Sequence, residues 1–164
     1  MNPDLTHLIL EASPNWKDYC LLDSGDGKTL ERFGPYLLIR PRPQAIWNKS
    51  LPASEWKKAN ALLVEEQQEY GGKWTILNPM EKSWKLSYGN LRFQAQLSSS
   101  RHVGVFPEQA SHWDWMSERI QSARKPFKLL NLFGYTGLAS AAAAAAGAEV
   151  THVDSSKQDR KSVV

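Results

Sequence analysis

The sequence predicts an α/β fold, in which a small β-rich N-terminal module precedes the start of a Rossmann-like parallel sheet. The first observation is the stretch over residues 128–154, KLLNLFGYTGLASAAAAAAGAEVTHVD, which reads as strand, glycine turn, helix, glycine and strand. That order defines a βαβ unit, whose two strands lie parallel in one sheet. The second observation is that residues 18–100 alternate short β-type runs with turn-forming residues, which is typical of antiparallel strands and their connections.

The composition is that of a globular protein without a membrane span. The 164 residues are 41% hydrophobic and 23% charged, with a net charge of +3 and a pI near 9.0. The chain has no basic–apolar signal segment at its start and no apolar run of transmembrane length. Its single cysteine, Cys20, excludes an internal disulfide and fits a reducing compartment. A cytoplasmic location is therefore predicted.

The N-terminal module is predicted to follow a lead-in of residues 1–17. Six strands are predicted in it, at residues 19–22, 29–33, 36–40, 74–77, 84–88 and 91–97. Gly89-Asn90 separates the last two strands by the two residues of a tight hairpin loop.

One helix is predicted between the third and fourth of these strands. Ser54 would cap this helix, and Trp56, Ala59 and Leu63 recur at helical spacing. The C-terminal end of this helix would carry Glu65, Glu66 and Glu69. The pair Gly71-Gly72 would then end the helix.

The serine run at residues 98–100 is the predicted boundary, after which residues 101–158 begin the second domain. Pro107 opens a helix that is predicted to run to about residue 123. Its apolar stripe consists of Ala110, Trp113, Met116, Ile120 and Ala123. We expect this helix to cover one face of the parallel sheet.

The βαβ unit is predicted from residue types that each suit one element. The apolar run LLNLF at residues 129–133 is as long as a strand buried on both faces. Gly134 and Gly137 allow the chain to reverse there, and would let a ligand approach the backbone. The alanine-rich stretch 138–146 strongly favours a helix, which Gly147 would close in a left-handed conformation. Residues 150–153 form the second strand, and Asp154 stands at its carboxyl end.

The glycine turn and Asp154 indicate a ligand with a ribose. Ligands of open α/β sheets bind outside the carboxyl ends of the strands, and Asp154 follows Gly134 by twenty residues, about the offset at which an acid meets ribose hydroxyls. A dinucleotide fingerprint needs a central glycine beside the pyrophosphate, where this chain has Thr136. S-adenosylmethionine (SAM) lacks phosphates, so SAM is favoured over a dinucleotide. A βαβ unit without a cofactor is the remaining alternative.

The amino-acid sequence of the βαβ segment also resembles that of a known family. The segments LLNLFGYTGLAS and GAEVTHVDSSK resemble motif I and the following acidic strand of class I SAM-dependent methyltransferases. They are most similar to the 23S rRNA cytosine-C5 methyltransferases, in which N-x-F-x-Y-T-G is characteristic. Upstream, residues 104–109 resemble the segment before motif I in that family, with Gln109 matching its glutamine, and Glu108 and Ala110 replacing its aspartate and arginine. Within that family the chain resembles a branch that lacks the usual N-terminal RNA-binding domain.

The resemblance implies a cofactor site, a methyl-acceptor substrate and RNA as a candidate acceptor. The residues predicted to bind SAM are Phe106, Gln109, Asn131, Phe133, Gly134, Tyr135, Thr136, Gly137, Asp154 and Ser155. The turn backbone and the helix start would hold the methionyl group, Asp154 the ribose and Ser155 the adenine side. Phe106 and Gln109 would close the pocket, while the amide of Asn131 would either contact SAM or simply pin the loop.

No catalytic residue and no metal site is predicted. Cytosine-C5 chemistry in the family uses a cysteine thiolate and an Asp-Pro-Pro motif, and this sequence has neither a matching cysteine nor that motif. Cys20 is predicted to pack as a small apolar residue, and His152 to be a half-buried strand residue. The spacing of the four histidines matches no zinc site.

A nucleic-acid-binding module is the alternative function from another class. The residues that could form a basic aromatic surface are Arg40, Arg42, Trp47, Lys49, Trp56, Lys57 and Lys58. Scattered charge on a solvated face is the favoured interpretation of the same residues.

Residues 159–164 are predicted to be a non-native tail. A second amphipathic helix should begin there, yet the residues are mostly polar and charged. The natural protein is therefore expected to be longer than this chain.

Overall fold

The computed structural model describes residues 16–65 and 72–155, which divide into two compact units. The first unit is Trp16–Phe106, and the second begins at Pro107. The predicted tail at 159–164, residues 1–15 of the predicted lead-in and the predicted Glu66, Glu69 and Gly71 positions lie outside the described residues.

A five-stranded sheet and a separate hairpin form the first unit. The sheet has the order β1-β2-β3-β4-β5, with β1 Tyr19–Gly25, β2 Lys28–Phe33, β3 Tyr36–Pro41, β4 Ala61–Glu65 and β5 Gly72–Ile76. All neighbours in it are antiparallel except β3 and β4, which are parallel. The hairpin consists of β6 Ser83–Tyr88 and β7 Leu91–Gln96. The six predicted strands and the Gly89-Asn90 loop are confirmed.

The predicted helix from Ser54 to the acidic segment is wrong. Only one turn of helix forms, α1 Ala53–Trp56, which no side chain caps, and Leu63 lies in β4. Ala61 and Leu63 are buried while Val64 is exposed, so this stretch alternates with the period of a strand. Asn60 lies just before β4: its Oδ1 accepts the Leu37 N–H of β3 at 2.9 Å, which fixes the start of β4 beside β3.

The five-stranded sheet buries side chains on both faces. On one face, Leu30 and Ile39 pack with Trp56 and Ala59 from the α1 region. The other face carries Phe33, whose ring lies 5.1 Å from the ring of Tyr19.

The hairpin packs through aromatic residues near this second face. Trp16 connects the two sheets, since its ring lies 5.3 Å from Tyr19 and 6.3 Å from Phe93 of β7. The ring of Tyr36 meets Trp84 of β6 edge to face at 5.2 Å. The Trp16 Nε1–H also donates to the Ser87 carbonyl oxygen at 2.8 Å.

The serine run does not separate the units. The carbonyl oxygens of Ser98 and Ser99 accept from the Trp74 indole N–H and the Gly72 N–H, both at 2.8 Å. Arg40 Nη1 donates to the Arg101 carbonyl oxygen at 3.1 Å, and the Val103 carbonyl oxygen accepts from Gln96 N–H at 3.1 Å. These bonds attach residues 98–103 to the first unit, so the observed division at Phe106 differs from the predicted one at Ser100.

The second unit contains the predicted βαβ arrangement. A 3-10 turn Pro107–Gln109 leads into α2 Ala110–Ser122, followed by β8 Lys128–Asn131, α3 Leu138–Ala145 and β9 Glu149–His152. Strands β8 and β9 are parallel, with Asn131 opposite His152. Ala110, Trp113 and Ile120 of the predicted stripe are buried. Helix α2 packs against α3, whereas we expected it to cover the strands directly.

The C-terminal end of α3 is closed as predicted. Gly147 has φ +104°, its N–H donates to the Ala144 carbonyl oxygen at 3.0 Å, and the Ala148 N–H donates to the Ala143 carbonyl oxygen at 3.0 Å. This pair of bonds is the Schellman motif, which requires a left-handed residue at its centre.

The expectation that the apolar run at 129–133 is buried on both faces is wrong. Leu130 is 60% exposed and Leu132 56% exposed, because α3 lies on one face of the β8–β9 pair while these side chains point to the other. Within the described residues, no helix has the length and hydropathy that a bilayer crossing requires.

Candidate functional site

The glycine turn lies at the carboxyl ends of β8 and β9. Parallel pairing continues beyond both strands, since Val153 N–H donates to the Asn131 carbonyl oxygen at 2.8 Å and Gly134 N–H donates to the Val153 carbonyl oxygen at 3.0 Å. The ladder therefore holds the start of the turn directly beside Asp154. This edge is where open α/β sheets bind their ligands.

The turn itself reverses the chain within four residues. Gly137 N–H donates to the Gly134 carbonyl oxygen at 2.9 Å, which closes the turn. Tyr135 has φ +47°, and Gly137 has φ +90° at the N-cap of α3. A left-handed N-cap favours glycine, and no side chain caps α3. The first N–H groups of α3 and its positive dipole end therefore lie at the turn.

Asp154 fixes the turn from the end of the second strand. Its Oδ2 accepts the Tyr135 N–H at 2.7 Å, and the residue is half-buried. A charged acceptor makes this one of the stronger hydrogen bonds available to a turn. The bond brings Asp154 and the glycine turn together as the spacing predicted, while its contact with ribose stays a prediction.

Gly134 lies against the side chain of His152. A Cβ atom at Gly134 would overlap the imidazole ring, with Cε1, Nε2 and Nδ1 its nearest neighbours. His152 is half-buried, as predicted for it. The ring therefore fills the space that the missing side chain leaves on this side of the turn.

A chain of polar contacts lies below the turn, and sequence reasoning missed most of it. Asn131 Oδ1 accepts the Phe133 N–H at 3.2 Å, and Asn131 Nδ2 donates to Ser140 Oγ at 3.0 Å. Ser140 Oγ lies 2.9 Å from His152 Nδ1. Asn131 thus pins the loop, which was one of its two predicted roles. The parallel β8–β9 register and the helix between them could have pointed to Ser140.

The remaining predicted site residues lie in several environments. The Phe133 ring is 90% exposed at the turn, Thr136 is half-buried and Ser155 is exposed. Gln109, in the second unit, has its Oε1 2.9 Å from His112 Nδ1. Phe106 belongs to the first unit, where its ring lies 4.2 Å from that of His102.

The residues of the candidate basic aromatic surface do not form one continuous surface in the first unit. Arg40 is buried and pairs with Glu31, and Trp56 is a core residue that donates to Asp23. Lys49 Nζ lies 4.4 Å from the centre of the Trp56 ring and 3.5 Å from Asp26 Oδ2.

The other basic members do not restore a continuous surface. Lys58 pairs with Glu55 at 2.7 Å. Trp47, Arg42 and Lys57 are exposed, with the Trp47 indole N–H donating to the Ser24 carbonyl oxygen at 2.9 Å.

Metal-ligating side chains do not cluster in this part of the protein. Over residues 16–65 and 72–155, no group of three or more His, Cys, Asp or Glu side chains could hold a metal ion. Cys20 is a half-buried free thiol in β1, with its Sγ 3.6 Å from the Leu21 carbonyl oxygen.

Together, the parallel strands, the glycine turn, the uncapped helix start and the strand-end acid define a nucleotide-type cofactor-binding unit. A solved SAM-dependent methyltransferase from Agrobacterium tumefaciens is similar to this chain, with 44% identity and a TM-score of 0.85. The match covers 94% of this chain and 48% of that protein, so the chain spans about half the length of this relative.

Two further solved structures share the fold. A Streptococcus mutans protein described as a SAM-dependent methyltransferase is 19% identical, with a TM-score of 0.62, and a protein described as a methyltransferase complexed with SAH is 20% identical, with a TM-score of 0.61. Each match covers 88% of this chain and 40% of the other protein. No protein-family model and no curated protein matches the chain. The predicted α/β fold is confirmed.

Proposed function

We propose that this chain provides the cofactor-binding part of a class I SAM-dependent methyltransferase. The observation that carries the proposal is the glycine turn held against Asp154 at the carboxyl edge of β8 and β9. The similarity to the Agrobacterium tumefaciens enzyme, at 44% identity over nearly the whole chain, supports the same conclusion. Thr136, at the central position of the turn, supports SAM over a dinucleotide, because a pyrophosphate needs glycine there.

Each part of the turn has a proposed contact with SAM. The free N–H groups at the start of α3 bind the methionyl carboxylate, since a helix N-terminus favours an anion. Asp154 keeps Tyr135 in place with Oδ2 and accepts from the ribose hydroxyls. The backbone from Phe133 to Gly137 lines the pocket, and Ser155 lies on the adenine side. Gln109 completes the proposed set within the second unit, while Asn131 supports the turn through Phe133 and Ser140.

The proposed chemistry is displacement at the methyl carbon of the sulfonium, which SAM supplies as an activated group. The chain contributes orientation, because holding two reactants in line removes much of the entropic cost of a bimolecular step. We assign no catalytic residue within these 164 residues.

Titration of the purified full-length protein with SAM tests the proposal. We expect Asp154→Ala to weaken binding by about 1–3 kcal/mol, the cost of losing a charged hydrogen-bond partner. Asp154→Asn keeps an oxygen for the Tyr135 N–H and removes the charge, so it separates ribose binding from support of the turn. Glu149→Ala is the matched control, an exposed acid at the other end of β9. Unchanged affinity in Asp154→Ala would reject its ribose role, and absence of SAM binding by the wild type would reject the proposal.

RNA is the class of methyl acceptor that we propose. The support is the resemblance of the N-x-F-x-Y-T-G segment to a family of RNA methyltransferases. A cytoplasmic location fits this substrate and the single cysteine. Transfer of a labelled methyl group from SAM to total RNA, followed by nucleoside analysis, tests the assignment and identifies the modified nucleoside. Label in protein and not in RNA would overturn it.

A further inference from the structure

The polar contacts below the glycine turn link three side chains in series. A backbone N–H can only donate, so the Phe133 N–H fixes Oδ1 of Asn131 as the acceptor and leaves Nδ2 as the donor. Nδ2 then donates to Ser140 Oγ. Ser140 Oγ in turn lies within hydrogen-bond distance of Nδ1 of His152, 2.9 Å away.

The contact with Ser140 fixes the orientation of the His152 ring. Ser140 of α3 is itself held by Asn131 of β8, so two side chains from neighbouring elements hold the ring of this β9 residue. It is in this orientation that the ring faces Gly134, in the space where a Cβ would otherwise lie.

We propose that His152, oriented by Ser140 and Asn131, is a positioning residue for the cofactor turn. The ring limits the approach of Gly134 to β9, and the Asp154 carboxylate accepts the N–H of Tyr135. The relay also fixes the N–H of Phe133, the residue that enters the turn. The path of the backbone from Phe133 to Tyr135 is thus determined by side chains that need not touch the cofactor. This inference rests on the proposed function, because it concerns the affinity of the same turn for SAM.

Four variants separate this role from a general loss of stability. Ser140→Ala removes the hydroxyl that contacts Nδ1, and His152→Leu removes the ring nitrogen. His152→Asn is the conservative variant, since its amide can take the place of Nδ1 as a hydrogen-bond partner of Ser140. Ser117→Ala is the matched control: Ser117 is another half-buried helical serine of the second unit, and its hydroxyl donates to the Trp113 carbonyl oxygen at 2.7 Å.

The experiment combines side-chain NMR with calorimetry on the whole chain. Long-range ¹H–¹⁵N spectra should show one dominant tautomer of the His152 ring, and Ser140→Ala should change the Nδ1 resonance. Titration with SAM should show about tenfold weaker binding for Ser140→Ala and His152→Leu. His152→Asn should recover most of this loss, and Ser117→Ala should bind within about twofold of the wild type.

Each outcome has a separate meaning. Wild-type affinity in both Ser140→Ala and His152→Leu would overturn the inference, while SAM binding by the wild type would leave the proposed function standing. If the wild type does not bind SAM, the proposed function fails first and the inference fails with it. Circular dichroism of each variant shows whether a loss of affinity reflects unfolding. If Ser140→Ala and His152→Leu are unfolded, the affinity of His152→Asn for SAM decides the test.

Discussion

At Gly134, a neighbouring side chain determines which residue the backbone can carry. Gly134 is not one of the glycines with a positive φ, so an alanine could adopt its backbone conformation. The obstacle is the imidazole ring of His152, which a Cβ would overlap. Gly137 is different, because its φ of +90° favours glycine irrespective of its neighbours.

Gly134→Ala is therefore expected to lower the free energy of unfolding by about 2 kcal/mol, as overpacking does. In a His152→Ala background the ring is absent, so the same substitution should cost much less. Chemical denaturation of the wild type, the two single variants and the double variant measures the difference. Equal costs in the two backgrounds would show that His152 is not the obstacle.

The buried ion pair of the first unit is a second residue-scale feature. Glu31 is 2% exposed and accepts from Arg40 Nη2 and from Thr29 Oγ1, the latter at 2.6 Å. Removing one charge from a buried pair leaves its partner without compensation, which costs several kcal/mol. An exposed pair contributes little because water screens it.

Glu31→Gln is expected to lower the free energy of unfolding by about 3 kcal/mol. Glu55→Gln provides the control: it removes a carboxylate from the exposed Lys58–Glu55 pair of the same unit, and the expected cost is less than about 0.5 kcal/mol. Urea denaturation of both variants checks the contrast, and similar costs for the two would contradict it.

At the scale of elements, Asp23 joins β1 to the segment that leads into α1. Its carboxylate accepts the N–H groups of Ser50 and Leu51 and the indole N–H of Trp56, at 2.9–3.2 Å. Burial raises the pKa of Asp23, but hydrogen bonds from Leu51, Trp56, Ser50 and Ser24 together outweigh burial and hold the pKa below its ordinary value.

This lowered pKa predicts a dependence of stability on pH. Because the folded state binds the proton more weakly than the unfolded state, the stabilisation is complete above the unfolded pKa of about 3.9 and is lost as pH falls through the lower folded pKa. Asp23→Asn should therefore be less stable than the wild type near neutral pH, and the difference should shrink below about pH 4. Thermal denaturation across this range tests it, with Asp26→Asn as the exposed control. A difference that stays constant with pH would contradict the assignment.

The elements that the sequence predicted correctly are those determined by local residues. Gly89-Asn90 and the alanine run of α3 each specify their structure within a few positions. The helical spacing of Trp56, Ala59 and Leu63 predicted a helix from Ser54. The prediction was wrong, because Leu63 belongs to a strand. That strand pairs with both β3 and β5, and no local pattern reveals such contacts.

At the scale of the whole molecule, part of the candidate site was predictable and part was not. Asp154 and the glycine turn follow from the order of the elements, since parallel strands place their carboxyl ends at one edge. The contact of Ser140 with His152 depends on how α3 lies over the strands, which composition and spacing do not define. The open face of the β8–β9 pair is the face opposite α3, and it carries Leu130 and Leu132.

The open face has a measurable consequence for this 164-residue chain. Leu130 and Leu132 should promote self-association at high concentration, as exposed apolar patches do. Replacing both with glutamine should reduce association in sedimentation experiments and change the free energy of unfolding by less than about 0.5 kcal/mol. Replacing Leu21 and Leu22, exposed leucines of the first unit, is the control and should leave association unchanged. Wild-type protein that stays monodisperse at all concentrations would contradict the prediction.

The attachment of residues 98–103 to the first unit decides where the chain can be cut. A protease cleaves segments that can detach from the folded structure. The serine run is held in place, because its carbonyl oxygens accept hydrogen bonds from Trp74 and Gly72. A recombinant second unit that started at Arg101 would carry Val103 and Val105, both buried here, as solvent-facing side chains. Starting it at Pro107 leaves those valines with the sheet to which their segment is bonded, so the better excision point lies after Phe106 and not within the serines.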